Sequence, residues 1–492
     1  MIPLRACLLP VAFLGLLGMA TTAQAAWETP AGPAGAGASV DVAVLNGAPH
    51  VGWVANIGRT PKVARQTPDG TGWVELGAGR MSRGGTLVQR IALAEAGGQV
   101  YAAWAENDQA GWLSPRVSRY DAGTDSWVAA PEGLSDRANE PDFGVTMTTH
   151  QDRPHVAFVE RDSAFADKFQ VKVKRLSAGG TAWDRLGGPI NASSQAASLP
   201  ILGPTRYDAT DPDLLSIGST LYVAWAEFDG FRDQVRVARY DAAANAWREI
   251  GGGARPINHD GSSDGQRPSL AAIAGVPHVA WQQAGQIRVA RMRDDGSGFD
   301  QVVGGDAPIN PGVQAEKPSL ADVGGRPWVS FIECPAGCGT RNPSDLRVAR
   351  LNSAGTAWER PTQEPVEASG DPRSTALAVA GGTPLLAADV PGISVARLAP
   401  DILETSATGF RGGATLLARV RGYGLPWKVG FEIDGVRTAT RTLGGGDEET
   451  VTMSVGGLRN NTVYGYRAFA TGPLPPEVLG PAGTFRTGPG KG

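Results

Sequence analysis

One segment of this chain recurs along its length, and that recurrence limits the folds that the chain can adopt. The stretch "VRVARYDAAANAWREIGGG" begins at Val235, and related stretches begin at Val171 and Leu346. An aromatic residue marks each copy, mostly about 50 to 60 residues from the next one. This period predicts repeats that bury their apolar faces against one another. The marking aromatics are Trp27, Trp73, Trp127, Trp183, Trp247, Phe299 and Trp358.

Within each copy the order of segments predicts four short antiparallel strands. A run such as "RPSLAAI" at Arg267 leads into a two-residue turn of Gly, Asn or Ala, and then into a strand such as "PHVAW" at Pro277. Residues that accept positive φ at such a pair are typical of tight hairpins. Seven copies of four strands predict an all-β chain whose residues 26–400 form a seven-bladed β-propeller.

The phase of the repeat predicts how the ring closes. The first copy begins at Trp27, a fourth-strand residue, and the last copy ends after a third strand, "GISVARLAP" at 392–400. The count of strands is complete only if the chain from Trp27 to about Gly32 supplies the outer strand of the last blade. Such pairing removes an open sheet edge.

These repeated elements resemble those of bacterial secreted seven-bladed β-propeller proteins. The resemblance covers roughly residues 27–400 and rests on "P-x-L-A", "P-H-V-A-W" and "V-A-R-Y-D" elements and on the strand order. It implies a fold and leaves the function open, because propellers serve many functions.

After Pro400 the composition changes to strand-like runs separated by Gly-rich turns. Residues 401–488 resemble a fibronectin type III domain, a small β-sandwich, and residues 489–492 form a short tail. The spacing of Leu458, Thr462 and Tyr464 suggests a tyrosine corner, in which the Tyr hydroxyl binds upstream backbone. The resemblance implies a module that spaces or presents its neighbour.

The N-terminus predicts export. Residues 1–25 combine a positive Arg5, an apolar run and an Ala-Gln-Ala cleavage site, which is typical of a signal peptide. We therefore expect a secreted or extracellular, cell-surface protein, with no later membrane span. In an oxidising compartment Cys334 and Cys338 are expected to form a disulfide.

The loops between second and third strands vary most, and we expect them to form a binding rim on one side of the ring. Function concentrates on variable loops held by a rigid scaffold. A partial ring of carboxylates two residues after the second-strand aromatics would add charge, although capping of those loops is the alternative. The proposed binding residues are Trp112, Phe165, Phe169, Tyr207, Phe228, Phe231, Glu106, Glu160, Glu227 and Glu333.

An arginine stands at one position in all seven copies. A feature present in every blade maintains the blade, so we expect these side chains to bind turn carbonyls or a carboxylate of the next blade. The seven are Arg65, Arg119, Arg175, Arg239, Arg291, Arg350 and Arg397.

From the sequence we expect an exported, non-catalytic binding or scaffold protein that recognises a glycan or protein partner. The chain has 45 Lys and Arg against 49 Asp and Glu, which argues against nucleic acid as a partner. We expect a monomer with no cofactor and no metal. A glycan-active enzyme, sialidase-like or lyase-like, is the alternative, with Tyr207 and Glu227 as the one pair to nominate. A structural envelope component is the second alternative.

Overall fold

The structure is a computed structural model. The residues that it describes form β-strands and no helix. Seven four-stranded antiparallel sheets are followed by two further sheets. No helix among the described residues has the length and apolarity needed to cross a membrane. The structure describes residues 27–29, 32–33, 37–55, 60–77, 81–82, 84, 87–107, 113–136, 144–162, 168–188, 190–191, 209–251, 257–258, 263–303, 308–338, 343–362, 364–367, 372–390, 392–475 and 477–490.

Each of the seven sheets is a blade whose first strand lies innermost. From the inside outward, the strands of blade 1 are Gly37–Leu45, Ala48–Ala55, Thr60–Gln66 and Trp73–Glu75, and those of blade 2 are Val88–Ala96, Gln99–Asn107, Leu113–Asp121 and Ser126–Ala129. The strands of blade 3 are Val145–His150, Arg153–Asp162, Lys168–Leu176 and Trp183–Arg185, and those of blade 4 are Ala209–Ile217, Thr220–Phe228, Asp233–Asp241 and Ala246–Glu249. The strands of blade 5 are Gly265–Ile273, Val276–Gln283, Gln286–Met292 and Phe299–Gln301, and those of blade 6 are Gln314–Val323, Arg326–Cys334, Asp345–Leu351 and Trp358–Glu359. The strands of blade 7 are Thr375–Ala380, Thr383–Val390, Gly392–Leu398 and Trp27–Glu28.

The blades form a closed ring around a central channel. Each inner strand lies beside the inner strand of the next blade, and the inner strands of blades 7 and 1 also lie together. The predicted all-β, seven-bladed architecture is confirmed. The first and last strands of the propeller close the ring as predicted, since Trp27 pairs with Leu398 and Glu28 with Arg397 in antiparallel register.

The core consists of apolar layers between neighbouring blades. In blades 1 to 6 an aromatic side chain of the second strand is fully or almost fully buried, because that strand has blades on both faces. Outer-strand tryptophans add a polar tie to the preceding blade: the indole Nε1 of Trp127 donates to the Leu76 carbonyl at 2.8 Å, and that of Trp247 donates to the Leu186 carbonyl at 2.9 Å.

The turns between first and second strands have the predicted hairpin conformation. Asn46 and Gly47 both have positive φ, as the left-handed turns require. Even Gln151 and Asp152, the weakest match in sequence, adopt φ of 50° and 58°. The predicted disulfide between Cys334 and Cys338 is present, with Cα atoms 5.2 Å apart.

The last part of the chain is a β-sandwich of two sheets. One sheet contains Asp401–Phe410, Gly413–Arg421 and Glu448–Gly456, and the other contains Lys428–Ile433, Val436–Arg437, Arg441–Thr442, Val463–Thr471, Val478–Leu479 and Gly483–Arg486. The hydroxyl of Tyr464 accepts the backbone N–H of Arg459 at 2.9 Å, the upstream contact that the spacing predicts.

The sandwich packs against the turn side of the ring at blades 6 and 7. Its apolar core is continuous with theirs, with Trp427 and Phe431 in the same cluster as Trp328. Arg350 donates to the Tyr423 carbonyl and to Asp447 of the sandwich. The sandwich and the ring therefore share a core as well as a covalent link.

Ring closure predicts a large stability cost for Trp27→Ala. The indole is 7% exposed and lies in the shared core of blades 6 and 7 and the sandwich. Its removal should lower the free energy of unfolding by about 3 kcal/mol or more, measured by urea unfolding. Trp183→Ala, in an outer strand that joins no chain ends, is the control and should cost less. Equal losses would contradict a special role for closure.

Candidate functional site

Five inner strands carry an irregularity at the same place. In blades 1, 2, 4, 5 and 6 the pairing of first and second strands shifts near the start of the inner strand, and one residue at each shift has a left-handed φ of 48° to 55°. A non-glycine residue in this region is strained by about 1 kcal/mol. Such bulges re-aim side chains. The five residues are Ser39, Arg90, Asp211, Arg267 and Lys317.

These five residues line one cavity of about 500 Å³ at an end of the central channel, together with residues of all seven inner strands. The starts of inner strands pair with the ends of second strands, as Gly37 does with Ala55 and Gly265 with Gln283. The cavity therefore opens on the side of the variable loops, opposite the hairpin turns.

Four cationic side chains of the described residues line the cavity, and we name Arg90, Arg267, Lys317 and Arg373 the collar. Arg90 reaches from blade 2 to Asp211 of blade 4, with 2.6 Å between Nη2 and Oδ1. The collar therefore combines residues from different blades that meet only where the inner strands converge.

Two carboxyl groups, Asp41 and Asp213, lie deeper in the same cavity. Each accepts a backbone N–H from a later blade: Asp41 from Leu93 at 2.7 Å, and Asp213 from Leu270 at 2.7 Å. Burial raises the pKa of Asp41 to about 7, against the opposing effect of these hydrogen bonds. Burial likewise raises the pKa of Asp213 to about 6.

Serine does the same structural task elsewhere in the ring. Ser269 accepts the backbone N–H of Leu320 at 3.1 Å, and Ser319 accepts that of Leu377 at 3.0 Å. A hydroxyl is therefore sufficient to tie two inner strands together. The carboxyl groups at Asp41 and Asp213 add a capacity that the tie does not need, which is proton transfer near neutral pH.

The four glutamates expected at the rim are buried beneath it. Glu106 and Glu227 each accept the indole Nε1 of the tryptophan two residues earlier, Trp104 and Trp225, at 2.8 Å. Their relative exposures are 1% and 0%. They satisfy buried indole donors inside their own blades, so a ligand at the surface would not reach them in this arrangement.

The other two glutamates follow a phenylalanine, which has no N–H to satisfy, and their side chains pair with cations. Glu160 lies 2.8 Å from Lys172 Nζ. Glu333 lies 2.6 Å from an Arg360 nitrogen and 3.2 Å from one of Arg347. Both glutamates are about 4% exposed, so they too belong to the interior of the blades.

The expected rim aromatics do not form one surface among the residues described. Phe169 is buried in the core of blades 3 and 4, and Phe228 is half-buried. Phe231 is 81% exposed, on a turn where Asp229 accepts two backbone N–H groups. The other three predicted aromatics, Trp112, Phe165 and Tyr207, lie outside the described residues.

The repeated arginines share a position without sharing a role. Only Arg350 and Arg397 are buried, and the Nε of Arg397 donates to Glu28 of the closing strand at 3.0 Å. Arg175 and Arg291 have exposed aspartate partners at 3.4 Å and 2.6 Å. The remaining three, Arg65, Arg119 and Arg239, lie wholly or partly exposed on the turn side.

The collar and the two aspartates were missed in the sequence because their segments read as plain strands. "RPSLA", "KPSLA" and "DPDLL" begin with a charged residue followed by Pro at one repeat position. The recurrence of a charged residue before Pro at this repeat position is the sequence feature that could have indicated the site. Among the described residues, no group of three or more His, Cys, Asp or Glu side chains is placed to hold a metal ion.

Comparison with known proteins gives similarity in fold. No protein-family model and no curated protein matches the sequence. A polysaccharide lyase of family PL25, an ulvan lyase bound to -[GlcA(1-4)Rha3S]-, is 12% identical with a TM-score of 0.46 and covers 74% of this chain and 94% of its own. A thermostable family-43 glycoside hydrolase is 13% identical with a TM-score of 0.34, covering 56% and 96%. An alpha-L-arabinofuranosidase from Lactobacillus brevis is 11% identical with a TM-score of 0.37, covering 56% and 95%.

This comparison overturns the expectation of a non-catalytic binding or scaffold protein. The three similar structures named above are two glycoside hydrolases and a polysaccharide lyase, whereas the expectation named a protein without catalysis. At 11–13% identity the likeness concerns the fold. The function of this chain must therefore be inferred from its own residues.

The raised pKa of Asp41 predicts a pH-dependent stability. A carboxyl whose pKa is raised on folding contributes stability that is present below its ordinary pKa of 3.8 and is lost as the pH rises to about 7. Asp41→Asn keeps an oxygen for the Leu93 N–H and removes the buried charge. It should raise the free energy of unfolding at pH 8 by about 1–3 kcal/mol and change it less at pH 5.

A control with the opposite sign is available in Asp69. Hydrogen bonds from Thr67 and Thr71 lower the pKa of this exposed carboxyl. Asp69→Asn should therefore reduce stability at pH 8, measured in the same denaturant titration. If Asp41→Asn instead lowered the free energy of unfolding at pH 8, the buried charge of Asp41 would not be destabilising the fold.

Proposed function

We propose that the protein is a glycan-active enzyme that hydrolyses a glycosidic bond at the mouth of the central channel. The observation that carries this proposal is the pair of half-buried carboxyl groups, Asp41 and Asp213, in one open cavity. Their pKa values are raised to about 7 and about 6 by burial. Paired carboxyl groups with separated pKa values are the usual acid and base of glycoside hydrolysis.

The roles follow from the order of the two pKa values. Near pH 6.5 the largest population has Asp41 protonated and Asp213 ionised. Asp41 donates its proton to the glycosidic oxygen as the bond to the anomeric carbon breaks. Asp213 accepts a proton from the water whose oxygen bonds to that carbon. The leaving group and the new hydroxyl on the anomeric carbon are both uncharged. Asp41 has then lost a proton and Asp213 has gained one, and both regain their starting states by exchanging protons with solvent.

The surroundings of the cavity support a polymeric substrate. The mouth opens on the side of the variable loops, so a long chain can reach the carboxyl groups without threading through the ring. Phe231 is exposed on that side in a turn fixed by Asp229, and a flat aromatic face suits a sugar ring. We include Phe231, and with it Phe228, as residues that contact the glycan away from the reacting bond.

The proposal extends to the setting of the enzyme. Residues 1–25 would direct export and be removed, leaving a secreted monomer with a Cys334–Cys338 disulfide. The C-terminal sandwich would be a fibronectin type III-like module. Because it shares a core with blades 6 and 7, it would act as a fixed support for the ring.

Hydrolysis predicts loss of activity on removal of either carboxyl group. Residues 26–492 would be incubated with carboxylated, sulfated and neutral polysaccharides, and new reducing ends would be measured. Asp41→Asn and Asp213→Asn should each reduce kcat by about 100-fold or more while the fold is retained. Asp69→Asn, which removes a distant carboxyl, is the matched control and should keep full activity.

The outcomes separate hydrolysis from other reactions. Unsaturated products, detected by their ultraviolet absorbance, would show elimination and contradict the hydrolytic roles assigned to the aspartates. If the variant that carries both Asp41→Asn and Asp213→Asn still cleaved the substrate at the wild-type rate, the reaction would take place elsewhere on the protein.

The two pKa values also predict the pH profile. Activity at saturating substrate should be greatest between about pH 6 and 7, falling on the acid side as Asp213 is protonated and on the basic side as Asp41 is ionised. The measurement is kcat against pH on the best substrate of the panel. A profile that rises steadily above pH 8 would contradict Asp41 as the acid.

A further inference from the structure

We infer that the collar selects an anionic glycan, one that carries carboxylate or sulfate groups, and this inference rests on the proposed function of the same cavity. The collar consists of Arg90, Arg267, Lys317 and Arg373 at the mouth, above Asp41 and Asp213. The inference adds a substrate class to the proposed reaction.

In the part of the chain that the structure describes, the collar cations outnumber the carboxylates that pair with them. Arg90 has Asp211 as its partner at 2.6 Å. Arg267 and Lys317 share a single carboxylate, Glu316, at 2.8 Å and 3.1 Å. Among the residues described, the four collar cations thus face Asp211 and Glu316 at the mouth, with Asp41 and Asp213 deeper in the same cavity.

Arg373 differs from the other three collar cations in having no carboxylate partner among the residues described. Its side chain is exposed, and within the described part of the chain no carboxylate lies at ion-pairing distance from its guanidinium. Its backbone N–H is held by Asp389 at 2.7 Å, which fixes the position of the residue. A planar guanidinium with open donors suits the paired oxygens of a carboxylate or sulfate.

The backbone at the collar indicates that these side chains are retained at a cost. Arg90, Arg267 and Lys317 have φ of 54°, 53° and 55°, where glycine would be unstrained. Glycine would serve the bulge better, so the backbone does not explain the long cationic side chains. Strain of this kind is typical of functional sites.

The protonation of the two carboxyl groups is compatible with an anionic ligand. Near pH 6.5 burial keeps much of Asp41 in its neutral form, because its pKa is raised to about 7. A neutral sugar can accept hydrogen bonds from the collar through its hydroxyl oxygens, but it brings no charge to pair with the collar cations. An anionic sugar would pair with those cations, so discrimination should favour it.

The test measures binding separately from turnover. The Asp41→Asn variant of the full mature chain would be titrated calorimetrically with an oligogalacturonate, a sulfated oligosaccharide and a neutral arabino-oligosaccharide of similar length. We expect at least one anionic probe to bind 10-fold or more tightly than the neutral one, with affinity that falls as NaCl rises. Equal affinity for all three probes, or affinity insensitive to salt, would overturn the inference.

Two collar variants show whether the collar is responsible. Arg373→Ala and Lys317→Gly should each weaken binding of the anionic probe about 10-fold. Lys317→Gly relieves the left-handed strain and should leave the thermal midpoint unchanged or higher, so its effect would not arise from unfolding. Arg65→Ala, at an exposed arginine on the turn side, is the control. Unchanged binding in both collar variants would contradict the inference.

The two proposals fail in different ways. If anionic probes bind through the collar and the wild-type protein cleaves none of the matching polymers, the substrate class stands and the hydrolytic function fails. If the wild-type protein cleaves a neutral polymer through Asp41, the hydrolytic function stands and the substrate class is wrong.

Discussion

The inner strands of the ring cannot pair with one another as a sheet, and the structure depends on how side chains bridge them. Each inner strand belongs to its own blade and lies beside the next inner strand. Their free backbone N–H groups face side chains of the preceding blade, and Asp41, Asp213, Ser269 and Ser319 accept them. Buried N–H groups need such partners. This constraint places polar side chains around the channel.

In the proposed function, two of those bridges have a second purpose. Ser269 and Ser319 bridge with uncharged hydroxyls, whereas Asp41 and Asp213 bridge with half-buried carboxyl groups. The hydrogen bond fixes each carboxyl, and burial sets its pKa near neutral pH. A rigid, pre-positioned acid and base is what hydrolysis requires. The scaffold and the proposed chemistry therefore depend on the same atoms.

Much of the fold could be predicted from the sequence, because repeated patterns report packing that recurs. The closing strand at Trp27 and the hairpin turns follow from the phase and from residues that accept positive φ. The site could not be predicted in the same way. The bulge at Arg267 depends on a shift in register that only the paired strand reveals. Glu106 was expected at a rim, but the indole of Trp104 in the same strand binds it inside the blade.

The repeated arginines show why a shared position need not mean a shared role. In blades 6 and 7 the turn side is covered, so Arg350 and Arg397 are buried and bind the sandwich and the closing strand. Arg65, on a blade whose turn side leaves this position open, is exposed. The sequence repeats the residue, but the part of the chain that packs against each blade decides what the residue does.

The most direct test of this account is a crystal structure of the Asp41→Asn variant soaked with an oligogalacturonate or a sulfated oligosaccharide. We expect a sugar in the channel mouth, with its acidic group on Arg373 or Lys317 and a glycosidic oxygen within hydrogen-bond distance of residue 41. A sugar bound only on the outer loops, on the turn side or on the sandwich, with the channel mouth left to solvent, would contradict it.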